Sequence, residues 1–400
     1  MNILQICNKP PFPPQDGGSI GMNNITNGLL DFNHKVKVIA VNPPKHFVNI
    51  NDLPPDYVSS TRLELVYMDT SVKPFAAFKN LFTSQSYHIQ RFISKEFDSR
   101  LISILKNETF DIVQIESIFL MSYMDTIRKY SKAKVILRSP NIEYLIWKRM
   151  TKTAINPLKK WYLSILTKRL KKFELSQLNK ADAVYTVTIN DMDFYKSHGC
   201  KVPITFIPTG IDMTKKLDVD FNKVEFPSIF HIGALDWLPN QEGIQWFLKN
   251  VWDRVHLAFP QLKFYIAGRN TPQWLFNINK TNVEVLGEID DAGKFIASKS
   301  IMLVPLMSGS GMRVKIIEGM MLGKAIISTT IGIEGIIYQS DSNILIANSA
   351  DEFFNAISRC VQSRAFCEEI GKKALLNAEN NYDNNLLTKK LIGFFEEIMN

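Results

Sequence analysis

A glycine- and serine-rich loop that leads into a helix is the strongest sign of chemistry in this sequence. The loop follows a predicted strand that ends at Pro305. The backbone amides of Gly309, Ser310 and Gly311 are suited to hold phosphate oxygens or sugar hydroxyls. A helix is predicted to begin near Met312, and its first amides favour an anion. The segment therefore predicts an anion-binding site at a strand end.

Two cations and a carboxylate follow on the predicted helix. Arg313 and Lys315 suit a diphosphate leaving group, because charge-assisted hydrogen bonds stabilise negative charge. Glu318 lies about one and a half turns into the helix, where its carboxylate can accept two hydrogen bonds from a ribose diol. The alternative is an amphipathic helix whose polar side chains are only solvated. We favour a binding site, because the loop, the cations and the carboxylate coincide at one strand end.

A second glycine-containing loop, residues 10–24, follows the first predicted strand. Gly17 and Gly18 have no Cβ that would obstruct a ligand approaching the backbone. Ser19 is predicted to cap the next helix. The alternative is an ordinary strand-to-helix turn, since the loop lacks the Gly-x-Gly-x-x-Gly pattern of a dinucleotide site.

Polar side chains follow two later strands of the first half. Asn141 and Glu143 come after the predicted strand that ends at Arg138, and Glu116 follows the strand before it. Carboxylates and amides at strand ends are candidates for catalysis or for binding hydroxyl groups. The alternative for Asn141 is that it caps a helix. As a lone carboxylate, Glu116 is weaker evidence than a cluster would be.

The elements that must position these residues form two series of strands and helices. A chain of 400 residues is too long for one ordinary core. Apolar strands that alternate with helical patterns predict parallel sheets covered on both faces. The predicted strands are Ile3–Cys7, Lys35–Val41, Leu63–Tyr67, Asp111–Ile115, Lys134–Arg138, Ala183–Val187 and Ile204–Ile207, then Ile229–Ile232, Leu262–Ala267, Val283–Leu286, Ile301–Pro305, Ala325–Ser328 and Ile344–Ala347.

The predicted fold class is α/β, with two Rossmann-like domains that face each other across a cleft. Ligands of such sheets bind at the carboxyl ends of the strands. We predict an N-terminal domain over 1–207, a linker over 208–227 and a C-terminal domain over 228–383. A last helix over 384–400 is expected to pack back on the N-terminal domain.

The order of these motifs resembles the retaining GT-B glycosyltransferases of family 4, the glycosyl transferases of group 1. The resemblance covers nearly the whole chain. It rests most on the block 308–335, which is specific, and less on the early Gly-Gly loop and the segments 181–188, 208–212, 231–247 and 265–270. It implies that the C-terminal domain binds a nucleotide sugar and that the N-terminal domain binds the acceptor.

The resemblance also assigns roles to single residues. Glu318 matches the second glutamate of the family's Glu-x7-Glu motif, which holds the nucleotide ribose, and Ser310 stands at the first. Ala234 and Asn240 stand near the positions of the family's usual Arg and Lys, so Arg313 and Lys315, with Arg269, are predicted to supply that charge. The predicted donor-binding residues are Gly17, Gly18, Gly233, Arg269, Gly309, Ser310, Gly311, Met312 and Glu318. The predicted catalytic residues are Arg313, Lys315, Asn141 and Glu143, and Glu116 is predicted to bind the acceptor.

The net charge of +8 is concentrated in one stretch. Residues 148–180 contain ten basic residues and one acid, Glu174, while the rest of the chain is nearly neutral. This excludes the spread basic face of a protein that coats nucleic acid. We predict one basic amphipathic helix here, with an apolar stripe of Trp161, Tyr162, Ile165, Leu166 and Leu170, and one interpretation is that it lies on an anionic membrane. The alternative is a helix packed on the sheet with a solvated basic face.

No metal or cofactor is expected. Asp191 and Asp193 resemble the metal-binding motif of another transferase class, but they stand at a predicted helix start, where acids favour the helix dipole. The histidines show no metal-ligand spacing, and His231 is interpreted as a packed core residue. The four scattered cysteines, the absence of a secretory signal and of a long apolar run favour the cytoplasm or the inner face of its membrane.

We therefore predict a retaining, metal-independent glycosyltransferase that moves a hexose-type sugar from a UDP- or GDP-sugar to a glycan or lipid-linked acceptor of a bacterial surface polysaccharide. Two alternatives stay open. One is a nucleotide-sugar epimerase with the same two-domain fold. The other is a weakened partner subunit, suggested by Ser310 and by Pro140, which stands where relatives often have a histidine.

Overall fold

A computed structural model describes residues 1–215, 223–309 and 311–400, which form two compact units. Unit 1 comprises Met1–Gly210 and Asn384–Asn400, and unit 2 comprises Ile211–Asp383. The predicted linker, 208–227, includes residues 216–222, which lie outside the described residues. The last helix of the chain belongs to unit 1.

The strands of the two units form separate sheets, and the apolar residues of the central strands are buried on both faces. The strands are β1 (Asn2–Cys7), β2 (Lys35–Asn42), β3 (Glu64–Tyr67), β4 (Ile112–Ile115), β5 (Lys134–Ser139), β6 (Ala183–Thr186), β7 (Ile204–Phe206), β8 (Glu225–Ile232), β9 (Lys263–Ala267), β10 (Val283–Gly287), β11 (Lys299–Val304), β12 (Ala325–Ser328) and β13 (Leu345–Ile346).

The helices cover these sheets. They are α1 (Gly17–Asp31), α2 (Pro55–Thr61), α3 (Pro74–Asn80), α4 (Tyr87–Gln90), α5 (Lys95–Asn107), α6 (Met124–Tyr130), α7 (Glu143–Thr153), α8 (Pro157–Gln177), α9 (Ile189–Ser197), α10 (Leu238–Phe247), α11 (Asp253–Ala258), α12 (Gln273–Phe276), α13 (Ala292–Ser298), α14 (Val314–Met321), α15 (Ala350–Gln362), α16 (Arg364–Tyr382) and α17 (Asn384–Met399). Short 3-10 turns lie at Pro44–His46, Ile50–Asp52, Ile118–Tyr123, Leu178–Lys180 and Met213–Lys215, and a π-helical turn joins α10 to α11 at Leu248–Trp252.

Both sheets are parallel and share one topology. The order is β3-β2-β1-β4-β5-β6-β7 in unit 1 and β10-β9-β8-β11-β12-β13 in unit 2. In each unit the strand order reverses beside the first strand, so the carboxyl ends of β1 and β4, and of β8 and β11, are neighbours. Such a reversal is where doubly wound sheets bind ligands. The predicted α/β class with two Rossmann-like domains is confirmed.

Helix α17 packs on α1 in unit 1. Its buried residues Leu387, Leu391 and Phe395 join the apolar layer that covers one face of the first sheet. A Cβ at Gly28 of α1 would lie 2.1 Å from the Thr388 hydroxyl oxygen. The two helices are therefore in close contact, and Gly28 permits it.

The basic stretch 148–180 is not one amphipathic helix, so that prediction is wrong. Helix α7 ends at Thr153, and α8 begins at Pro157. The Asn156 side chain caps α8 by accepting hydrogen bonds from the amides of Leu158 and Lys159 at 2.9 and 3.1 Å. The residue before a proline also disfavours helical backbone, which separates the two helices.

The predicted apolar stripe of α8 is not exposed along its whole length. Leu166 and Leu170 are buried in unit 1, whereas Trp161 is 58% exposed. Lys159, Lys160 and Lys168 are exposed. The buried residues attach α8 to its own domain, and only the first part of the helix presents apolar and basic side chains together.

Candidate functional site

The loop between β11 and α14 lies at the reversal point of the second sheet. Gly309 and Gly311 have φ angles of 107° and 84°, a left-handed backbone that favours glycine. Helix α14 begins at Val314, two residues after the predicted start, and Arg313 is its N-cap residue. Met312 is partly buried and packs against the core of unit 2. Ser310 lies outside the described residues.

Arg313 is held between this loop and a tryptophan. Its guanidinium donates a hydrogen bond to the carbonyl of Gly311 and lies 5.3 Å from the ring centroid of Trp237. A Cβ at Gly309 would approach both the guanidinium and the indole to 3.0 Å. The side chain is 6% exposed. Cation–π contact and burial therefore preorganise this charge.

Lys315 lies beside the carboxyl end of β8. Its amine donates to Asn240 Oδ1 at 3.0 Å and lies 3.3 Å from His231 Nε2. A Cβ at Gly233 would lie 3.2 Å from the same amine. Gly233, which was predicted to bind the sugar donor, therefore leaves room for the Lys315 side chain. Burial, and then the charge of Arg313, lower the pKa of Lys315 to about 7.

Glu318 lies one turn further along α14 and is partly exposed. Burial raises the pKa of its carboxyl group, and the charge of Lys315 opposes that rise. Within residues 1–215, 223–309 and 311–400, no hydrogen bond to this carboxylate is formed. Its oxygens can therefore accept hydrogen bonds from a ligand diol.

Arg269 follows β9 at the same edge of the sheet. Its carbonyl oxygen accepts a hydrogen bond from the amide of Leu235 at 2.8 Å, and its side chain is exposed. The backbone bond brings Arg269 next to the segment that carries Trp237. A direct role for its side chain stays a prediction.

These contacts assemble a compact polar site on unit 2. Two cations, glycine amides and a carboxylate all lie on the loop and helix that follow β11, and the neighbouring segment after β8 supports both cations. A diphosphate could accept hydrogen bonds from both cations, and a ribose diol could donate to Glu318. The arrangement suits a nucleoside diphosphate.

In unit 1, Gly17 and Gly18 form the first turn of α1 and do not lie in a free loop. Asp16 caps α1 by accepting from the amide of Ser19 at 2.9 Å, and the Ser19 hydroxyl accepts in return from the Asp16 amide at 3.0 Å. The prediction that Ser19 is the cap is therefore wrong, because an aspartate precedes it. A Cβ at Gly18 would lie 3.0 Å from the Lys9 amine, which pairs with Asp16.

Glu116 belongs to a buried ion pair. Its carboxylate accepts from Arg138 at 3.0 Å and from Gln5 at 2.6 Å, and the Gln114 amide also donates to it. The side chains of Arg138 and Glu116 are 3% and 0% exposed. A Cβ at Gly21 would lie 2.5 Å from the same guanidinium. The oxygens proposed for acceptor binding already have protein partners.

Glu143 begins α7, and a second carboxylate stands beside it. Glu174 of α8 accepts hydrogen bonds from the amides of Glu143 and Tyr144, each at 2.9 Å, and from the Tyr195 hydroxyl at 2.8 Å. Burial, with the charge of Glu174, raises the pKa of Glu143 to about 8. Burial also raises the pKa of Glu174 to about 7. The pair can hold a proton near neutral pH, which a general acid requires.

Asn141 does not cap α7, so the capping alternative is wrong. Ile142 is the N-cap residue and makes no side-chain bond. The Glu174 carboxylate instead accepts hydrogen bonds from the amides of Glu143 and Tyr144 at the start of α7. The carbonyl of Asn141 accepts from the Ser139 hydroxyl at 3.0 Å, and Asn141 is partly exposed at the end of β5.

Several residues of these sites were missed by the sequence analysis. Trp237 was not among the predicted site residues, Asn240 was considered only as the residue near the position of the family's usual Lys, and His231 was interpreted as a packed core residue. Glu174 had a signal of its own, because it is the single acid in a run of ten basic residues. An isolated opposite charge in such a run is worth testing as a buried partner.

Residues 1–215, 223–309 and 311–400 contain neither a cluster of metal-ligating side chains nor a membrane-spanning helix. In those three ranges, no three His, Cys, Asp or Glu side chains are placed so that they could hold a metal ion. Metal independence stays a prediction. No helix among them is both long and apolar enough to cross a bilayer.

The sequence of unit 2 matches a known family. Residues 226–363 match the family model described as glycosyl transferases group 1. A protein of Klebsiella pneumoniae, named an uncharacterized 44.6 kDa protein in the cps region, is 20% identical over 392 residues, covering 95% of this chain and 96% of that protein.

Solved structures share the fold over the whole chain. The Anabaena protein HepE in complex with UDP has a TM-score of 0.68 at 12% identity, covering 99% of this chain and 100% of that chain. Its complex with UDP-glucose has a TM-score of 0.66 at 11% identity, with the same coverage. Sucrose-phosphate synthase from Thermosynechococcus elongatus has a TM-score of 0.70 at 13% identity, and the match covers 100% of this chain and 99% of that chain. The expected GT-B fold and the resemblance to group 1 glycosyltransferases are confirmed, while family 4 stays a prediction.

Proposed function

We propose that this chain is a retaining glycosyltransferase that transfers a hexose-type sugar from a UDP-sugar to a glycan or lipid-linked acceptor in the synthesis of a bacterial surface polysaccharide. The observation that carries the proposal is the pair Arg313 and Lys315 on the loop and helix after β11, inside the segment that matches group 1 glycosyltransferases. The UDP and UDP-glucose bound by HepE favour uridine over guanosine, which the sequence left open. The cps region named for the Klebsiella protein favours a capsule-like product.

The proposed chemistry follows from the charges of the site. An acceptor hydroxyl attacks the anomeric carbon, the bond from that carbon to the β-phosphate oxygen breaks, and the bonding electrons leave with the diphosphate. Arg313 and Lys315 stabilise this developing charge, while the glycine amides bind phosphate oxygens. Glu318 binds the ribose. Retention requires the acceptor to approach from the face that the diphosphate leaves, and the acceptor proton passes to that leaving group or to water.

The proposal predicts selective binding of uridine nucleotides. UDP and UDP-glucose are expected to raise Tm, and at 100 times Kd the native state gains about 2.7 kcal/mol. GDP and ADP at equal concentration are expected to change Tm much less. The measurement is a thermal-unfolding screen of UDP, GDP, ADP and their sugars with EDTA present, because no metal is expected to be needed.

Turnover then separates the candidate functions. UDP should be released from a UDP-sugar only when a lipid-linked oligosaccharide extract is added, with the label from the sugar entering the lipid fraction. Formation of an epimeric nucleotide sugar would indicate the epimerase, and binding without turnover would indicate a partner subunit. Preference for GDP or ADP, or a loss of activity in EDTA, would contradict the proposal as stated.

We further propose that the protein binds an anionic membrane surface through residues 148–180. Support comes from the turn between α7 and α8 and from the start of α8, where Ile155, Leu158 and Trp161 are 97%, 78% and 58% exposed next to exposed lysines. Helix α3, which contacts α8 through the Tyr162 hydroxyl and the Ala77 carbonyl, adds further exposed aromatic side chains, namely Phe75, Phe78 and, just beyond it, Phe82. Basic residues beside exposed apolar ones are typical of a surface that lies in a lipid interface.

The lipid proposal predicts that Lys159→Ala/Lys160→Ala weakens binding to phosphatidylglycerol-containing vesicles about 30-fold, because each lysine near such a surface contributes about 1 kcal/mol. Cosedimentation measures the bound fraction. Lys372→Ala/Lys373→Ala, a matched pair of exposed lysines on α16, should leave binding unchanged. High salt should release the wild-type protein. Equal binding by both double variants would show that the basic face is only solvated.

A further inference from the structure

His231 of β8 is a fully buried histidine whose two ring nitrogens both have partners. Its Nδ1 lies 2.9 Å from the carbonyl oxygen of Leu303, and its Nε2 lies 3.3 Å from the Lys315 amine. A carbonyl can only accept, so Nδ1 carries the hydrogen, and Nε2 presents a lone pair to the lysine. Burial, and then the charge of Lys315, hold the pKa of His231 well below its usual value, so the ring is neutral.

Asn240 of α10 presents a second neutral acceptor to the same amine. Its Nδ2 donates to the carbonyl of Ala234 at 2.8 Å, which fixes the orientation of the amide. Oδ1 then accepts from Lys315 at 3.0 Å. Asn240 is 3% exposed, so both acceptors of the lysine are rigidly packed.

We propose that His231 and Asn240 are positioning residues that hold the Lys315 amine at the carboxyl end of β8, with one N–H left for the diphosphate of the donor. The inference rests on the proposed function. An ammonium group has three donors, and two of them are used here. Both partners are uncharged, so the positive charge is not cancelled, as it would be by a carboxylate partner. A long flexible side chain is thereby fixed by two neutral acceptors.

The charged groups that face the amine set the direction of a pH effect. Arg313 and Glu318 lie on the same segment, and neutral His231 faces it from β8. Lys315 has a pKa of about 7 in the free protein. A bound diphosphate brings negative charge and raises that pKa, so binding takes up a proton above pH 7. The affinity for the donor is therefore expected to fall as the pH rises above 7, by up to about tenfold for each pH unit.

The first test needs no ligand. The pKa of Lys315 is measured by NMR on protein labelled with ¹³C at lysine Cε, and the signal is assigned with Lys315→Arg. Asn240→Asp places a carboxylate about 3 Å from the amine and should raise the pKa by about 1–3 units. His231→Leu removes a hydrogen-bond acceptor of the Lys315 ammonium group and should lower the pKa of Lys315. His231→Gln keeps an acceptor at this position and should have the wild-type pKa. His256→Leu, which removes a histidine of α11, is the control.

Opposite shifts from two neighbours cannot come from a general loss of structure, and far-UV circular dichroism checks the fold of each variant. If neither Asn240→Asp nor His231→Leu moves the Lys315 titration, the inference is overturned. The variant Asn240→Asp keeps the test valid if His231→Leu does not fold.

The second test uses UDP-glucose, whose phosphates carry a constant charge between pH 6 and 9 because both are esterified. The affinity for UDP-glucose, measured by calorimetry, should fall as the pH rises. The pH at the midpoint of this fall should be lower in His231→Leu than in the wild-type protein. If the NMR titration places the Lys315 pKa near 7, an affinity that does not depend on pH in the wild-type protein would show that Lys315 does not contact the diphosphate, and would overturn the inference. Absence of binding to any UDP-sugar contradicts the proposed function instead, and the ligand-free titration then still decides whether His231 and Asn240 position the lysine.

Discussion

Arg313→Ala is expected to lower kcat/KM for sugar transfer by about 10²–10³-fold. That is the usual cost of removing one preorganised donor from a site where negative charge develops. The guanidinium is buried, stacks near Trp237 and is fixed by the Gly311 carbonyl, so little reorganisation is needed when the diphosphate leaves. Initial rates of UDP release in the presence of acceptor measure the effect.

Two further variants give this prediction its controls. Arg313→Lys keeps the charge but loses the planar guanidinium, which can bind a phosphate through two hydrogen bonds, so an intermediate rate is expected. Arg254→Ala removes another cation–π arginine of unit 2, which lies 3.9 Å from the ring centroid of Phe354, and should leave the rate unchanged. If Arg313→Ala binds and turns over donor like the wild-type protein, Arg313 has no part in the mechanism.

Glu116→Leu is expected to lower the free energy of unfolding by about 3–5 kcal/mol, because it leaves the buried Arg138 guanidinium without its counter-charge. The carboxylate accepts from Arg138, Gln5 and Gln114 and is fully buried. A leucine of similar size cannot accept any of these bonds. Urea unfolding followed by circular dichroism measures the change.

Control variants distinguish a role of Glu116 in stability from a role in acceptor binding. Glu369→Leu removes a carboxylate from the exposed pair with Lys373 and should cost less than about 1 kcal/mol. The double variant Glu116→Leu/Arg138→Met removes both charges and should be more stable than Glu116→Leu alone. A Glu116→Leu protein as stable as wild type, with a raised KM for the acceptor, would instead support the acceptor-binding role predicted from the sequence.

Much of the fold followed from local pattern. Continuous apolar runs that alternate with helices predicted two parallel sheets, because strands covered on both faces need apolar residues on both sides. The order of motifs identified the segment around 308–335, which lies inside the family match. These features depend on residues that are close together in the chain, and such residues can be read from the sequence alone.

Three helix starts were predicted wrongly, two of them where a local signal at Asp16 or at Asn156 and Pro157 was passed over, and one where the capping partner lies on another element. The first helix begins after Asp16, and α7 is capped by Glu174, which lies 31 residues from Glu143 in the sequence. The basic stretch was predicted as one helix because its charges form a run, although Asn156 and Pro157 divide it. Composition described the charge of this segment but not which side chains are buried.

The sequence by itself determined that the chain forms two α/β units and that a glycine-rich loop, two cations and a carboxylate follow one strand. The tertiary structure decided what each charge meets: Glu116 pairs with Arg138 inside unit 1, and Lys315 meets His231 from a strand 84 residues away. The physical reason is that burial and charge pairing depend on distances in space, which chain separation does not specify. Periodicity and backbone conformation, in contrast, arise from residues that are adjacent in the chain.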